Sequence, residues 1–153
     1  MEFLTGVLQK ETMEISDLVR PGLEGSEVKV NGAIHTIRDM GPIAFVILRK
    51  REGLLQCVYE PGAADFSLKD LKEADTIEVS GTLALSEKAP SGIEVRMKSV
   101  RILSEPTEAM PIPVSKWKMN VSLETNLDLR PISLRNIRER AKFRIQEGIV
   151  RGF

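Results

Sequence analysis

Five short segments in which apolar and polar residues alternate, each bounded by turn sequences, constrain this chain most strongly. In the first, EVKVNGAIHTI, Val28, Val30 and Ile34 share one parity and mostly polar residues take the other. A period of two residues is the pattern of a β-strand with one buried face. The same reading applied along the chain predicts strands over residues 27–37, 43–51, 54–60, 76–85 and 93–103.

Two irregularities predict where these strands bend. Gly32 lies inside the first strand, where a residue without a side chain indicates a sharp bend or a bulge. In the last strand, Met97 and Val100 fall on opposite parities, so we expect a bulge near Ser99. Strands that curl in this way are typical of a barrel.

The segment between the third and fourth strands predicts a short helix over residues 66–74, with Phe66, Leu68 and Leu71 on one side. Five strands with one helix in this position is the order of an OB-fold, a five-stranded Greek-key barrel that binds oligonucleotides on strands two and three. We therefore predict a mainly β chain with an OB-fold, although other small barrels share this order.

The rest of the chain divides by composition. Residues 1–25 predict an N-terminal helical lead-in, and residues 26–104 hold the barrel. Residues 105–131 begin with three prolines, Pro106, Pro111 and Pro113, which indicate an extended linker or hinge. Residues 132–153 predict a long helix, which we interpret as the truncated start of a further domain.

Composition limits the chemistry. The chain has one cysteine, Cys57, and one histidine, His35, so neither an internal disulfide nor a conventional zinc site is expected. No secretory signal or membrane-spanning run is recognisable, and we expect a soluble, cytoplasmic protein. The net charge is zero, with nine basic and four acidic residues after residue 115, a net of +5 balanced by −5 before it. This balance argues against coating nucleic acid by bulk attraction.

A search for catalytic groups is negative. One histidine cannot supply the usual nucleophile–base arrangements, and no phosphate-binding loop or GxGxxG motif is present. We expect no catalytic residues, no metal site and no cofactor in this chain.

A search for binding groups singles out Phe45 and Gln56. Each falls on one parity of its strand, and one parity of each barrel strand faces solvent. If that parity holds both residues, the surface carries an aromatic ring beside an amide. A ring can stack on an unpaired base and an amide can bond its Watson–Crick edge. The alternative, which the pattern leaves open, is that Phe45 belongs to the core and Gln56 is an ordinary surface residue.

Three blocks of sequence resemble the anticodon-binding OB-fold and hinge of the aspartyl-tRNA synthetases. The first is GAIHTIRDMGPIAFVILRKREGLLQCVYEPG, the second SGTLALSEKAPSGIEV, and the third ETNLDLRPISLRNIRERAKFRIQEGIVRGF. The matching positions of the first block are Gly32, Arg38, Asp39, Gly41, Phe45, Arg49, Arg51, Gly53 and Gln56. Ala33 departs from the family pattern, which commonly has tryptophan there.

The resemblance implies roles for six RNA-binding residues. Phe45 would stack on the central anticodon uridine, Gln56 would bond a base edge, and Arg38 would contact the loop backbone or a base. Lys88 and Glu94 would help to read the outer anticodon positions. A histidine at the position of His35 accompanies relatives that charge both tRNA-Asp and tRNA-Asn, which implies relaxed reading of the third anticodon base.

The resemblance also implies an enzyme larger than this chain. The full-length enzyme would attach aspartate to tRNA with ATP and Mg²⁺ and would form a homodimer, whereas the fragment would be inactive and free to be monomeric. Three rival readings stay open: the related domain of an asparaginyl-tRNA synthetase, a free-standing OB-fold protein for single-stranded nucleic acid, and an assembly module without RNA.

Overall fold

The computed structural model describes residues 11–153. The described residues divide into two compact units, residues 11–105 and Pro106–Phe153. Of the predicted helical lead-in, the part before residue 11 lies outside the described residues, and the described part holds one short helix, α1 (Ile15–Leu18).

The first unit is built around a closed five-stranded barrel, which confirms the predicted fold class. Its strands are β1 (Glu27–Asp39), β2 (Ala44–Arg49), β3 (Leu54–Tyr59), β4 (Thr76–Leu85) and β5 (Ile93–Ser104). They pair in the order β1-β2-β3-β5-β4, and β4 closes the barrel on β1. Only the β3–β5 pairing is parallel among these strands. This order is that of an OB-fold.

The barrel interior is filled by the side chains on one face of each strand. Removing such side chains from water stabilises the fold by about 1.5–3 kcal/mol for each large apolar residue. The fully buried members of this core include Val30, Val46, Leu48, Leu55, Cys57, Ile77, Val79 and Val95. The other parity of β2 and β3 is therefore free to form a surface.

Strand β1 carries a bulge at His35. Its neighbours Ile34 and Thr36 pair with consecutive residues of β2, so His35 is the extra residue. The bulge moves the core-facing parity from Ile34 to Ile37, both of which pack in the core. Gly32, where the sequence predicts the irregularity, instead lies where β2 crosses closely: a Cβ there would be 3.1 Å from the carbonyl oxygen of Arg49.

The bulge predicted near Ser99 is confirmed in the β4–β5 ladder. Ser80 pairs with Ser99 and Gly81 pairs with Met97, which leaves Lys98 as the extra residue. Gly81 allows this close pairing, because a Cβ at this position would lie 2.1 Å from the carbonyl oxygen of Arg96.

The helix predicted between β3 and β4 is reduced to one 3-10 turn, Leu68–Asp70. Leu71 is already extended, and Ala74 adopts a φ of +73°, which no right-handed helix allows. The buried carboxylate of Asp75 accepts a hydrogen bond from the N–H of Lys72 at 2.7 Å. This hydrogen bond takes the place of the backbone hydrogen bonds that a longer helix would make.

The second unit contains three helices, α2 (Leu123–Asp128), α3 (Arg130–Ser133) and α4 (Ile137–Gly152). The sequence predicts one long helix from residue 132, but α4 begins at Ile137 because Asn136 caps it. The Asn136 side-chain oxygen accepts hydrogen bonds from the N–H groups of Arg138 at 3.0 Å and Glu139 at 3.2 Å. Two short helices therefore occupy part of the predicted hinge. Within residues 11–153, none of the helices combines the length and apolar character that crossing a membrane requires.

Candidate nucleic-acid interface

Phe45 and Gln56 lie on the same outer face of the barrel. On β2 the core takes Val46 and Leu48, and on β3 it takes Leu55 and Cys57. Phe45 and Gln56 have the opposite parity on their strands, and both side chains are half-buried. Of the two readings that the sequence leaves open, the structure has the ring outside the barrel core.

The strand register fixes how close these two residues are. Phe45 pairs with Val58, and Gln56 pairs with Ile47, so Phe45 and Gln56 are diagonal neighbours. Diagonal pairs on one face of an antiparallel ladder have Cβ atoms about 7–8 Å apart or somewhat less, which is within reach of long side chains. An aromatic ring and an amide therefore face the same small area.

Two rows of side chains cross this face perpendicular to the strands. One row contains Arg38, Phe45, Val58 and Arg96, and the other contains Thr36, Ile47, Gln56 and Glu94. We call these eight residues the outer face. Ile47 and Val58 are only 4% and 6% exposed although they point away from the core cluster, so they form an apolar floor between the polar residues.

A hydrogen bond links Gln56 to Glu94 across the parallel β3–β5 pair. The Gln56 Nε2 atom donates to Glu94 Oε2 at 3.1 Å. An ionised carboxylate only accepts hydrogen bonds, so the nitrogen of the amide must be the atom that faces it. The carbonyl oxygen of Gln56 is left available to a ligand.

An arginine side chain lies at each end of the first row. Arg38 is exposed beside Phe45, and Arg96 is exposed on the far side of Val58. Neighbouring strands lie about 4.8 Å apart, so each guanidinium can reach the backbone of a nucleotide that rests on the ring. Arg96 does not appear among the sequence-predicted site residues, although its parity with Glu94 on β5 was the signal that could have found it.

The remaining predicted site residues occupy different surroundings. Lys88 is exposed in the β4–β5 loop, which leads directly into Glu94. His35 is only 7% exposed at the β1 bulge, so it is not one of the exposed side chains of the outer face.

Neither metal nor thiol chemistry has a suitable group in the part of the chain that the structure describes. No group of three or more His, Cys, Asp or Glu side chains there is arranged to hold a metal ion. Burial raises the pKa of the Cys57 thiol to about 12, so this thiol stays protonated and unreactive. The outer face offers an aromatic ring for stacking, an amide for hydrogen bonding and charged side chains, all of which can bind a ligand.

The closed barrel and its outer face define the class of OB-fold domains that bind nucleic acid, and comparison with known families agrees. The family model described as an OB-fold nucleic acid binding domain, of the tRNA anticodon type, matches residues 28–103. Residues 28–103 therefore form a domain of this family of anticodon-binding OB-folds.

Its relatives are, more particularly, aspartate–tRNA ligases. The chain is 38% identical to the aspartate–tRNA(Asp/Asn) ligase of Deinococcus radiodurans over 133 residues, covering 87% of this chain and 29% of the relative. It is 36% identical to the ligase of the same name from Methanococcus vannielii over 140 residues, covering 89% of this chain and 32% of the relative.

A solved structure agrees in fold. The asparaginyl-tRNA synthetase of Pyrococcus horikoshii, crystallised with asparaginyl-adenylate, superposes with a TM-score of 0.72 at 25% identity. The match covers 86% of this chain and 31% of that chain. This chain thus spans about a third of the length of the relatives it matches.

Proposed function

We propose that the outer face binds the unpaired bases of a tRNA anticodon loop on behalf of an aspartate–tRNA ligase. The observation that carries the proposal is the diagonal placement of Phe45 and Gln56 on the outward parity of β2 and β3. In this proposal the ring of Phe45 stacks on the central anticodon base, and Gln56 bonds the Watson–Crick edge of that base. Base stacking on an aromatic side chain contributes about 1–3 kcal/mol.

The charged residues orient the RNA loop on the outer face and do not act by attracting nucleic acid in bulk. Arg38 and Arg96 contact the loop backbone on either side of the stacked base, while Lys88 and Glu94 act at the outer anticodon positions. Phosphate contacts fix orientation, and base contacts carry sequence information. A chain with zero net charge suits this division, because specificity then depends on a few local contacts.

The activity of the whole enzyme is also part of the proposal. The parent enzyme activates aspartate with ATP and Mg²⁺, esterifies it to tRNA, and works as a homodimer in the cytoplasm. Activation and transfer belong to parts of that enzyme outside this chain, in agreement with the chain's coverage of about a third of its relatives. The fragment alone binds RNA without charging it.

The tRNA partners are tRNA-Asp and tRNA-Asn together. The two differ at the third anticodon base, C against U. The relatives carry the name tRNA(Asp/Asn) ligase, and the family resemblance associates a histidine at position 35 with relaxed reading of the third anticodon base. The barrel should bind the two anticodon stem-loops with similar affinity.

The test compares stem-loops that differ only in the central anticodon base. Wild-type protein should prefer uracil at this position, and Phe45→Ala should weaken binding about 5- to 100-fold, the equivalent of one lost stack. Phe143→Ala is the matched control, because Phe143 is an exposed ring on helix α4, in the other unit. The Phe143→Ala variant should bind the stem-loop with the same affinity as the wild type.

Two results would reject the proposal. Equal binding of all central bases with a steep salt dependence would indicate a generic single-strand binder. Absence of any stem-loop binding would indicate an assembly module.

A further inference from the structure

We propose that Glu94 is a positioning residue for Gln56, and that it makes the stacked site selective for a base whose ring nitrogen carries a hydrogen. Uracil has such an N3–H, whereas N3 of cytosine carries a lone pair. This inference rests on the proposed function, because it concerns how the same outer face chooses its central base.

The geometry comes from the parallel pairing of β3 and β5. Gln56 and Glu94 are register partners, and the amide nitrogen donates to the carboxylate at 3.1 Å. On its other side Glu94 pairs with Ala84 of β4, whose methyl group offers no hydrogen bond. Both polar side chains are half-buried, so their contact is partly shielded from water.

An amide by itself discriminates poorly between pyrimidines. Rotation of its last torsion by 180° exchanges oxygen and nitrogen, and this torsion has a broad, roughly two-fold profile. A free glutamine can therefore present an acceptor to the N3–H of uracil or a donor to the N3 lone pair of cytosine. Selectivity requires that one of the two orientations be removed.

Glu94 removes one orientation. In the flipped state, the Gln56 carbonyl oxygen would face a carboxylate oxygen, two acceptors without a hydrogen between them. The flip also loses a hydrogen bond to a charged group, which disfavours that orientation by about tenfold or more. Gln56 is thus held with its nitrogen toward β5 and its oxygen free, and an acceptor facing the ring nitrogen of the stacked base selects uracil.

The experiment measures the ratio of affinities for stem-loops with central U and central C. In Glu94→Gln, the new amide can either accept from Gln56 or donate to it, so both orientations of Gln56 are satisfied. The U-over-C ratio should fall about tenfold or more. Glu78→Gln is the matched control, because it removes the same charge on β4, where Glu78 pairs with Arg101. The control should keep the wild-type ratio.

Two further variants separate positioning from direct contact. In a Gln56→Ala background, Glu94→Gln should not change the ratio any further. The exchange Gln56→Glu with Glu94→Gln should restore the preference for U, because a carboxylate at position 56 is an acceptor in either orientation and the amide at 94 can donate to it. A loss caused merely by distorted packing would not be restored in this way.

Each result decides something different. If the wild type shows no central-base preference, the proposed function itself is wrong. If the wild type prefers U and Glu94→Gln keeps the full preference, positioning by Glu94 is overturned while the proposed function stands. If Glu94→Gln still reduces the ratio in the Gln56→Ala background, Glu94 contacts the base directly and positioning is again overturned.

Discussion

Gln56 and Cys57 are chain neighbours with opposite surroundings, which shows how the barrel distributes its chemistry. The amide of Gln56 points to the outer face and bonds Glu94, whereas the thiol of Cys57 is fully buried among apolar side chains. Alternation along β3 alone produces this difference. Single residues of the two parities therefore report separately on the surface and on the core.

Cys57 should act as a probe of barrel opening. Because burial raises the pKa of its thiol from 9.0 to about 12, the folded protein should resist alkylation near neutral pH, and modification should follow unfolding. The measurement is the labelling rate with a thiol reagent, with and without denaturant. Rapid labelling of folded protein would contradict the buried position.

The raised pKa of Cys57 also predicts the direction in which the free energy of unfolding changes at alkaline pH. The folded pKa lies above the unfolded value, so the thiol contributes its full stability below pH 9. This contribution to the free energy of unfolding is lost as the pH rises from 9 toward about 12. Cys57→Ala should lack this part of the alkaline transition.

At the scale of single residues, the sequence singles out Phe45 and Gln56 together, but it does not show whether their side chains face the core or the surface. Both parities of β2 are apolar, Ala44, Val46 and Leu48 on one and Phe45 with Ile47 on the other. Hydrophobic alternation cannot tell the core face of such a strand from an apolar surface. Closure of the barrel decides it, because the interior takes only one parity.

At the scale of single elements, bulges and caps determine where strands and helices bend and end. The alternation of β5 contains the signal for its bulge, and that prediction is confirmed. The β1 bulge at His35 leaves the same kind of signal, a change of apolar parity between Ile34 and Ile37, but the prediction is based on Gly32 instead. The start of α4 could have been found from Asn136, a preferred N-cap residue.

Gly81→Ala should destabilise the barrel. The added Cβ would lie 2.1 Å from the carbonyl oxygen of Arg96, which is backbone and cannot rotate away. We expect a loss of about 1–3 kcal/mol or more, as in other overpacked sites, seen as a lower midpoint in denaturant unfolding.

Gly148→Ala is the control for this prediction. Gly148 lies within α4 with nothing within 4 Å of an added Cβ. Alanine there should stabilise the helix by about 0.5–1 kcal/mol. Equal effects of the two substitutions would contradict the close approach of β4 and β5.

Asn136→Ala should loosen the second unit. The Asn136 side chain caps α4 and also donates to the carbonyl oxygens of Val114 at 3.0 Å and Lys116 at 2.7 Å. The loss of a cap costs about 0.5–2 kcal/mol, and the buried carbonyl of Val114 left unpaired adds about 1–3 kcal/mol. Amide hydrogen exchange at the start of α4 should therefore accelerate.

Asn136→Asp separates the two contributions. It keeps the oxygen that caps α4 but replaces the donor to Val114 and Lys116 with a second acceptor. The first turn of α4 should stay protected while the segment around Val114 loses protection. Wild-type exchange in both variants would contradict these contacts.

At the scale of the whole molecule, the closed barrel holds the strands that carry the small outer face. Six of the eight outer-face residues, all except Thr36 and Arg38, pair with a neighbouring strand on both sides, so most of the backbone of this face is fixed by pairing. A rigid platform of this kind binds unpaired bases without first having to order itself, which limits the entropic cost of binding.

The fold class and the family could be predicted from the sequence because strand order and local motifs carry them. The Gln56–Glu94 hydrogen bond and the place of Arg96 could not, because they depend on the parallel pairing of β3 with β5 across 38 residues of chain. A two-residue period states which residues share a face of one strand. It does not state which strands become neighbours.

In the proposed function, RNA binding by this chain depends on the ring of Phe45 stacking on an unpaired base at the outer face. The most direct test is intermolecular NOE spectroscopy on the chain bound to an anticodon stem-loop. We expect contacts between the Phe45 ring protons and the H5 and H6 protons of the central pyrimidine. Contacts of that base with the exposed ring of Trp117 instead, with Phe45 unchanged, would contradict this expectation.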